Sequence, residues 1–182
     1  GFYRARSHEA VILYSEPWRR DALATTLHEL AHLQAAWHLG PQAPHWLDEG
    51  IAEYLEMLDI DESAPGDDVV RSWRFRRNDA HLALLAAVGP VDLDTLLSLT
   101  PQRFSRRDAP RHYGSAWALL AFLNHSETGR AFFDEVLRAV HAARCDAARD
   151  AGDVLAGYPG GLTALERDWR RWLDAMREQS AD

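Results

Sequence analysis

Two histidines and a glutamate near the start of the chain have the spacing of a metal site. His28, Glu29 and His32 fit the pattern His-Glu-x-x-His, which places the histidines four residues apart. Residues four apart on a helix lie one above the other, so both imidazoles can reach one ion. Zinc accepts nitrogen and oxygen ligands in a tetrahedral shell and can leave one position for water. The pattern therefore predicts a zinc site of the catalytic kind.

The glutamate of this pattern has a separate chemical task. Glu29 lies about 100° round a helix from His28, which places its carboxylate beside the ion instead of on it. A carboxylate in that position can accept a proton from water, whereas a purely structural zinc site has no use for one. The pattern predicts hydrolysis by metal-activated water, with Glu29 as general base.

A catalytic zinc site needs a third protein ligand, and the sequence offers two candidates. His38 follows His32 as in the pattern His-Glu-x-x-His-x-x-Gly-x-x-His, but Ala35 stands at the glycine position where the chain would turn. A continuing helix carries His38 about 600° onward, away from the ligand face. Glu49 follows a loop at 41–44, and a short connection makes two helices neighbours. We therefore expect Glu49 to be the third ligand.

A second carboxylate lies one helical turn beyond this expected ligand. Glu53 follows Glu49 by four residues, so the two share a helix face. It can accept a hydrogen bond from the far nitrogen of a liganding histidine and so fix the tautomer of that ring. An exposed helical glutamate is the equally open alternative.

Apolar periodicity predicts a predominantly helical α+β fold. One strand is predicted at 3–14, closed by a turn at 15–17, and an acidic loop is predicted at 59–68. Thr163 and Glu166 form a capping-box pattern at the start of the last helix. Helices are predicted at 21–39, 46–58, 82–88, 93–99, 113–123, 132–140 and 162–176.

Size and charge limit the kinds of partner. The chain has 182 residues, 47% of them hydrophobic, which is enough for one core and predicts one domain. Its formal charge of −8 argues against nucleic acid, which needs clustered basic residues. The arginine-rich run at 71–77 is predicted to be a solvated helix face. No apolar run approaches the roughly 20 residues that span a bilayer, so no membrane span is expected in this segment.

Two further features concern processing and cysteine chemistry. Cys145 is the only cysteine, which excludes an internal disulfide and a cysteine-rich zinc knuckle. The chain opens at Gly1 without methionine, so we expect a processed protein or a domain cut from a longer chain, with other domains outside it.

Four segments resemble parts of a known family. His-Glu-Leu-Ala-His at 28–32, followed by Trp-Leu-Asp-Glu-Gly-Ile-Ala-Glu-Tyr at 46–54, resembles the signature of gluzincins, the peptidase MA-like families related to thermolysin and aminopeptidase N. The resemblance implies a zincin-like catalytic domain, zinc as cofactor, Glu49 as third ligand, and peptide or protein substrates. It also implies an exported protein, periplasmic or extracellular. The segment 111–117 resembles a later helix of that family whose tyrosine faces the metal, which implies Tyr113, and 162–173 resembles the closing helix.

The sequence also departs from this family. The Gly-x-Met-x-Asn segment with which aminopeptidases hold a free amino terminus is missing before residue 21, so endopeptidase activity is expected. Asp48 stands where aminopeptidases usually carry Asn, and a carboxylate there can tune the metal or cap the helix.

The predicted metal site and the resemblance together lead to an expected mechanism. Glu29 takes a proton from zinc-activated water and passes it to the leaving amine. Tyr113 is the expected donor to the developing oxyanion, with His112 as the second choice. An exposed edge of the predicted strand would hold an extended peptide. Two other interpretations stay open: a zinc-binding module or inactive pseudopeptidase that serves as an interaction domain, and a helical interaction domain whose motif is accidental.

Overall fold

The computed structural model describes residues 1–4, 7, 9–14, 16, 19–59, 74–144 and 151–179. This part of the chain is mainly helical with two small antiparallel sheets, so the predicted predominantly helical α+β class is confirmed. All seven predicted helices are present, and two short ones, Pro101–Phe104 and Ala151–Leu155, were not predicted. The helices are α1 Arg19–His38, α2 His45–Glu56, α3 Asp79–Val88, α4 Leu93–Ser98, α5 Pro101–Phe104, α6 Ala109–His125, α7 Glu127–Ala143, α8 Ala151–Leu155 and α9 Gly161–Glu178.

The predicted single strand at 3–14 is wrong, because the chain turns back within it. Strands β1 Phe2–Arg4 and β2 Glu9–Val11 pair antiparallel, with Tyr3 opposite Ala10. The backbone N–H of Ser7 donates to the carbonyl of Arg4 at 3.2 Å between the strands. No glycine or proline marks this reversal, which is why the sequence pattern missed it. The predicted turn at 15–17 lies partly outside the described residues.

The second sheet pairs β3 Leu58–Asp59 with β4 Arg74–Phe75. The Phe75 ring stacks on Tyr54 of α2 with the ring centroids 4.3 Å apart. The arginines at 74, 76 and 77 therefore lie in a strand and the chain after it, and the predicted helix face is wrong for them. Most of the predicted acidic loop at 59–68 lies outside the described residues, as does Cys145.

Local chemistry explains where the helices begin and end. Helix α1 contains no glycine or proline, and Gly40 follows it with φ 81°, the left-handed conformation that commonly ends a helix. The capping box predicted at Thr163 is wrong, since α9 already begins at Gly161 without a side-chain cap. The Glu166 carboxylate instead accepts hydrogen bonds from Arg170, one turn later.

Helix α6 runs through the hydrophobic core and supports α2, against which α1 packs. Its residues 114–120 are all buried. A Cβ on Gly50 of α2 would lie 3.1 Å from the carbonyl oxygen of Ala116, so the missing side chain lets α2 lie directly on α6. Trp46 and Leu47 of α2 are buried in the same cluster. Helix α2 is thereby fixed, and α1 packs along it.

Within the described ranges, none of the helices combines the length and the apolar character needed to cross a bilayer.

Candidate metal centre

Helices α1 and α2 bring three predicted ligands together. His28 and His32 lie one turn apart on α1, and their Nε2 atoms face each other at 3.2 Å. Oε2 of Glu49, on α2, lies 3.6 Å from Nε2 of His32 and 4.0 Å from Nε2 of His28. The third ligand expected from the sequence thus stands opposite the two imidazoles.

These distances fit a zinc ion. A tetrahedral shell with zinc bonds of about 2.0–2.2 Å places neighbouring ligand atoms roughly 3.3–3.6 Å apart. The three ligand atoms lie within 4.8 Å of one another, so small side-chain movements suffice to surround one ion. Two imidazoles and one carboxylate are a donor set of catalytic zinc sites, which keep a further position for water.

The other nitrogen of each histidine meets a carboxylate of α2. Nδ1 of His28 is hydrogen-bonded to Oε2 of Glu56 at 3.1 Å, and Nδ1 of His32 lies 3.1 Å from Oδ1 of Asp48. A carboxylate at Nδ1 holds the proton on that nitrogen and leaves the Nε2 lone pair for a metal. Asp48 thus lies where a predicted tuning residue should lie, while Glu56 was not predicted. Its position two turns after Glu49 on α2 is the signal that could have revealed it.

Glu53 makes its closest contact elsewhere. Its Oε2 is hydrogen-bonded to Nε2 of His81 on α3 at 2.7 Å, whereas its Oε1 lies 3.9 Å from Nδ1 of His28. Glu53 therefore links α2 to α3, and its carboxylate lies farther from Nδ1 of His28 than the carboxylate of Glu56 does. Sequence reasoning missed His81 because its histidine-to-glutamate contact spans 28 residues.

Glu29 lies in the same cleft as the three ligands. Glu29 is buried, with 6% of the residue exposed, and it lies on the wall of a cleft of about 320 Å³. The wall also includes Asp48, Tyr113 and the first three residues of the chain, so β1 forms one side of the cleft. The predicted base is thus next to the candidate metal ligands without being one of them.

The two predicted oxyanion donors have different surroundings. Tyr113 lines the cleft, with Ser105 close to its side chain. Burial raises the pKa of Tyr113 above 10.0, and the nearby Glu49 charge raises it further, so the hydroxyl keeps its proton. His112 donates from Nδ1 to the carbonyl of Phe104 at 2.8 Å and does not line this cleft.

His38, the alternative third ligand, is the last residue of α1. Its backbone carbonyl accepts a hydrogen bond from Nδ1 of His141 on α7. His38 lies outside the group of ligand atoms that His28 and His32 form with Glu49. The structure therefore does not bring His38 close enough to His28 and His32 to be the third ligand.

His45 is a further neighbour that sequence reasoning missed. Its Nε2 lies 3.4 Å from Oε1 of Glu49, four residues later on α2. Its ring meets Phe104 edge-on, with the centroids 4.8 Å apart. Burial lowers the pKa of His45 from 6.5. The four-residue spacing to Glu49 was the available signal.

Without an ion the site holds protons more tightly than ordinary side chains do. Burial raises the pKa of Glu49 from 4.5 to about 7. Burial alone would lower the pKa of His28 and of His32, but the hydrogen bonds and charges of Glu56 and Asp48 outweigh it, so both are raised above 6.5. A divalent cation would replace these protons.

This proton binding predicts how the stability of the zinc-free protein varies with pH. Each of the three groups has a higher pKa folded than unfolded, so the folded state binds more protons and stability falls as pH rises. Glu49 contributes to this loss of stability between pH 4.5 and about pH 7, and the two histidines contribute to it above pH 6.5. We expect the free energy of unfolding in chelator, measured with urea, to fall from about pH 5 to 8. Glu49→Gln should have a shallower slope, and an equal or steeper one would contradict the expectation.

The fold and the site define a mainly helical α+β protein with a candidate His-His-Glu metal centre. Residues 22–143 match the family described as "Protein of unknown function (DUF1570)", and the chain belongs to this family. The matched residues include the three candidate ligands, Glu29 and Tyr113. Neither the curated proteins nor the solved structures contain a match to this chain.

Proposed function

We propose that the protein is a zinc-dependent metallopeptidase that hydrolyses internal peptide bonds. The observation that supports this most directly is the convergence of His28 Nε2, His32 Nε2 and Glu49 Oε2 beside a buried carboxylate in one cleft. The same arrangement favours the zincin-like architecture that the gluzincin resemblance implies. Sites of this composition with a free position are catalytic more often than structural.

The zinc ion and the protein side chains would have separate roles in catalysis. A zinc ion held by these three residues would supply Lewis acidity, which polarises a carbonyl group and acidifies water. Glu29 would accept the proton of the attacking water and pass it to the leaving amine. Asp48 and Glu56 would keep the two imidazoles in the tautomer that directs Nε2 into the cleft.

Strand β1 would align the substrate. It pairs with β2 on one side, and no other strand among the described residues pairs with it. Gly1, Phe2 and Tyr3 form the cleft wall beside the candidate ligands. An extended peptide could add to the open edge through main-chain hydrogen bonds, which suits a protease that accepts internal bonds.

Tyr113 would donate a hydrogen bond to the oxygen of the attacked carbonyl as negative charge develops on it. Removing one oxyanion donor lowers kcat by about 10²- to 10³-fold in acyl-transfer enzymes. We expect that loss for Tyr113→Phe, measured by steady-state peptide hydrolysis, with zinc affinity unchanged. Tyr158→Phe removes a hydroxyl that pairs with Asp168 instead and should leave kcat intact. Equal kcat values for Tyr113→Phe and wild type would exclude Tyr113 as the donor.

The proposed activity can be tested on a broad peptide library. The zinc-loaded protein should cut internal bonds, chelation should abolish cleavage, and added zinc should restore it, with products identified by mass spectrometry. A protein that binds zinc tightly and cleaves no peptide would favour the second candidate, a zinc-binding module. That module has less support, because a buried Glu29 beside the ligands has no use in it.

A further inference from the structure

The two carboxylate oxygens of Glu49 face different groups. Oε2 faces the Nε2 atoms of His28 and His32, whereas Oε1 lies 3.4 Å from Nε2 of His45. The Glu49 side chain is only 10% exposed, so water can reach little of Oε1. A buried carboxylate that must stay ionised needs a hydrogen-bond donor.

The Nε2 atom of His45 is available to donate a hydrogen bond to this carboxylate. Its Nε2 is buried and has no hydrogen-bond partner within the described part of the chain. Buried polar atoms are nearly always paired, so an orphaned one calls for an explanation. His45 begins α2 and lies one turn before Glu49, on the same face of the helix. Phe104, which is fully buried, packs edge-on against the ring.

We propose that His45 is a positioning residue for the third ligand: its Nε2–H donates to Oε1 of Glu49 and thereby directs Oε2 to the metal. This inference rests on the metal centre of the proposed function. A rotation of the imidazole within its site would turn the present 3.4 Å approach into a hydrogen bond once the carboxylate is ionised.

With this hydrogen bond, each of the three candidate ligands has a hydrogen-bonding partner on α2. Each imidazole needs an acceptor at its far nitrogen, and α2 supplies Asp48 to His32 and Glu56 to His28. A carboxylate ligand needs a donor instead, and α2 supplies His45. A single helix would thus orient every side chain of the metal centre. His45 itself lies outside the group of ligand atoms, which argues against its being a fourth ligand.

Two substitutions separate hydrogen bonding from packing. His45→Phe keeps a ring against Phe104 but removes the donor, whereas His45→Gln retains an N–H. His125→Gln, at the end of α6 beside Trp172, controls for the loss of any histidine. Zinc affinity would be measured by competition with a chelator, and the geometry of the site by the visible spectrum of the cobalt-substituted protein.

We expect His45→Phe to weaken zinc binding by about 10- to 100-fold and to shift the cobalt bands, as losing a ligand's hydrogen-bond partner does elsewhere. His45→Gln should regain most of the affinity, and His125→Gln should match wild type. Wild-type affinity and spectrum in His45→Phe would overturn the inference, as would equal losses in the Phe and Gln variants.

If His45→Phe does not fold, His45→Met offers an adaptable apolar side chain without a donor, and the same expectation applies to it.

Two outcomes keep this test separate from that of the proposed function. If the wild type binds no zinc, the proposed function fails and this inference with it. If the wild type binds zinc and the donorless variant binds it equally well, only the role of His45 fails.

Discussion

Replacing Glu29 by glutamine should lower kcat for peptide hydrolysis by about 10²- to 10⁴-fold while zinc stays bound. Glutamine has nearly the same size as glutamate but cannot accept the proton of the attacking water. Glu29 is buried on the wall of the cleft and is not one of the three candidate ligands, so the metal should be unaffected. Steady-state kinetics with a cleaved library peptide, together with zinc analysis of the same sample, measures both effects.

A matched control removes the same charge far from the cleft. Glu127→Gln changes an exposed residue in the first turn of α7 and should leave kcat and zinc content unchanged. A Glu29→Gln protein that cleaves as fast as wild type would show that another group takes the proton.

Replacing Glu49 by alanine should weaken zinc binding by more than the roughly 100-fold that the loss of a ligand's hydrogen-bond partner can cause. Only two imidazoles then remain, and activity should disappear with the metal. Zinc that binds only the folded state stabilises it once the zinc concentration exceeds the dissociation constant, by an amount that grows with the logarithm of their ratio. Added zinc at a concentration that saturates the wild type should therefore raise the Tm of wild type but not of Glu49→Ala. Chelator competition and thermal unfolding with and without zinc measure these effects.

The alternative third ligand provides the control for this experiment. His38→Ala should bind zinc as wild type does, because His38 ends α1 outside the ligand group. Zinc binding that survives the loss of Glu49 and disappears with His38 would reverse the assignment.

The parts of the site that rest on helical periodicity could be predicted. Spacing alone places His28 above His32, and the short loop before α2 makes it easy for Glu49 to reach them. The same periodicity located seven helices. The hairpin of β1 and β2 was missed because its reversal carries no glycine or proline, and the capping box failed because α9 starts earlier than its apolar stripe.

The partners of the ligands could not be assigned from the sequence. Asp48, Glu53 and Glu56 all lie on α2, and which of them meets a given nitrogen depends on how α1 crosses α2. Glu53 contacts His81 because α2 and α3 both pack against α6, a long-range effect that no local pattern encodes. His45 shows the same limit, since its contact with Phe104 joins α2 to α5.

An anomalous-scattering map at the zinc absorption edge, from crystals of zinc-loaded protein, would show whether His28, His32 and Glu49 hold one zinc ion. We expect one strong peak within about 2.0–2.2 Å of His28 Nε2, His32 Nε2 and Glu49 Oε2, with a further position open to solvent. A map without a peak there, or with its peak among His28, Glu53 and Glu56 instead, would contradict the account.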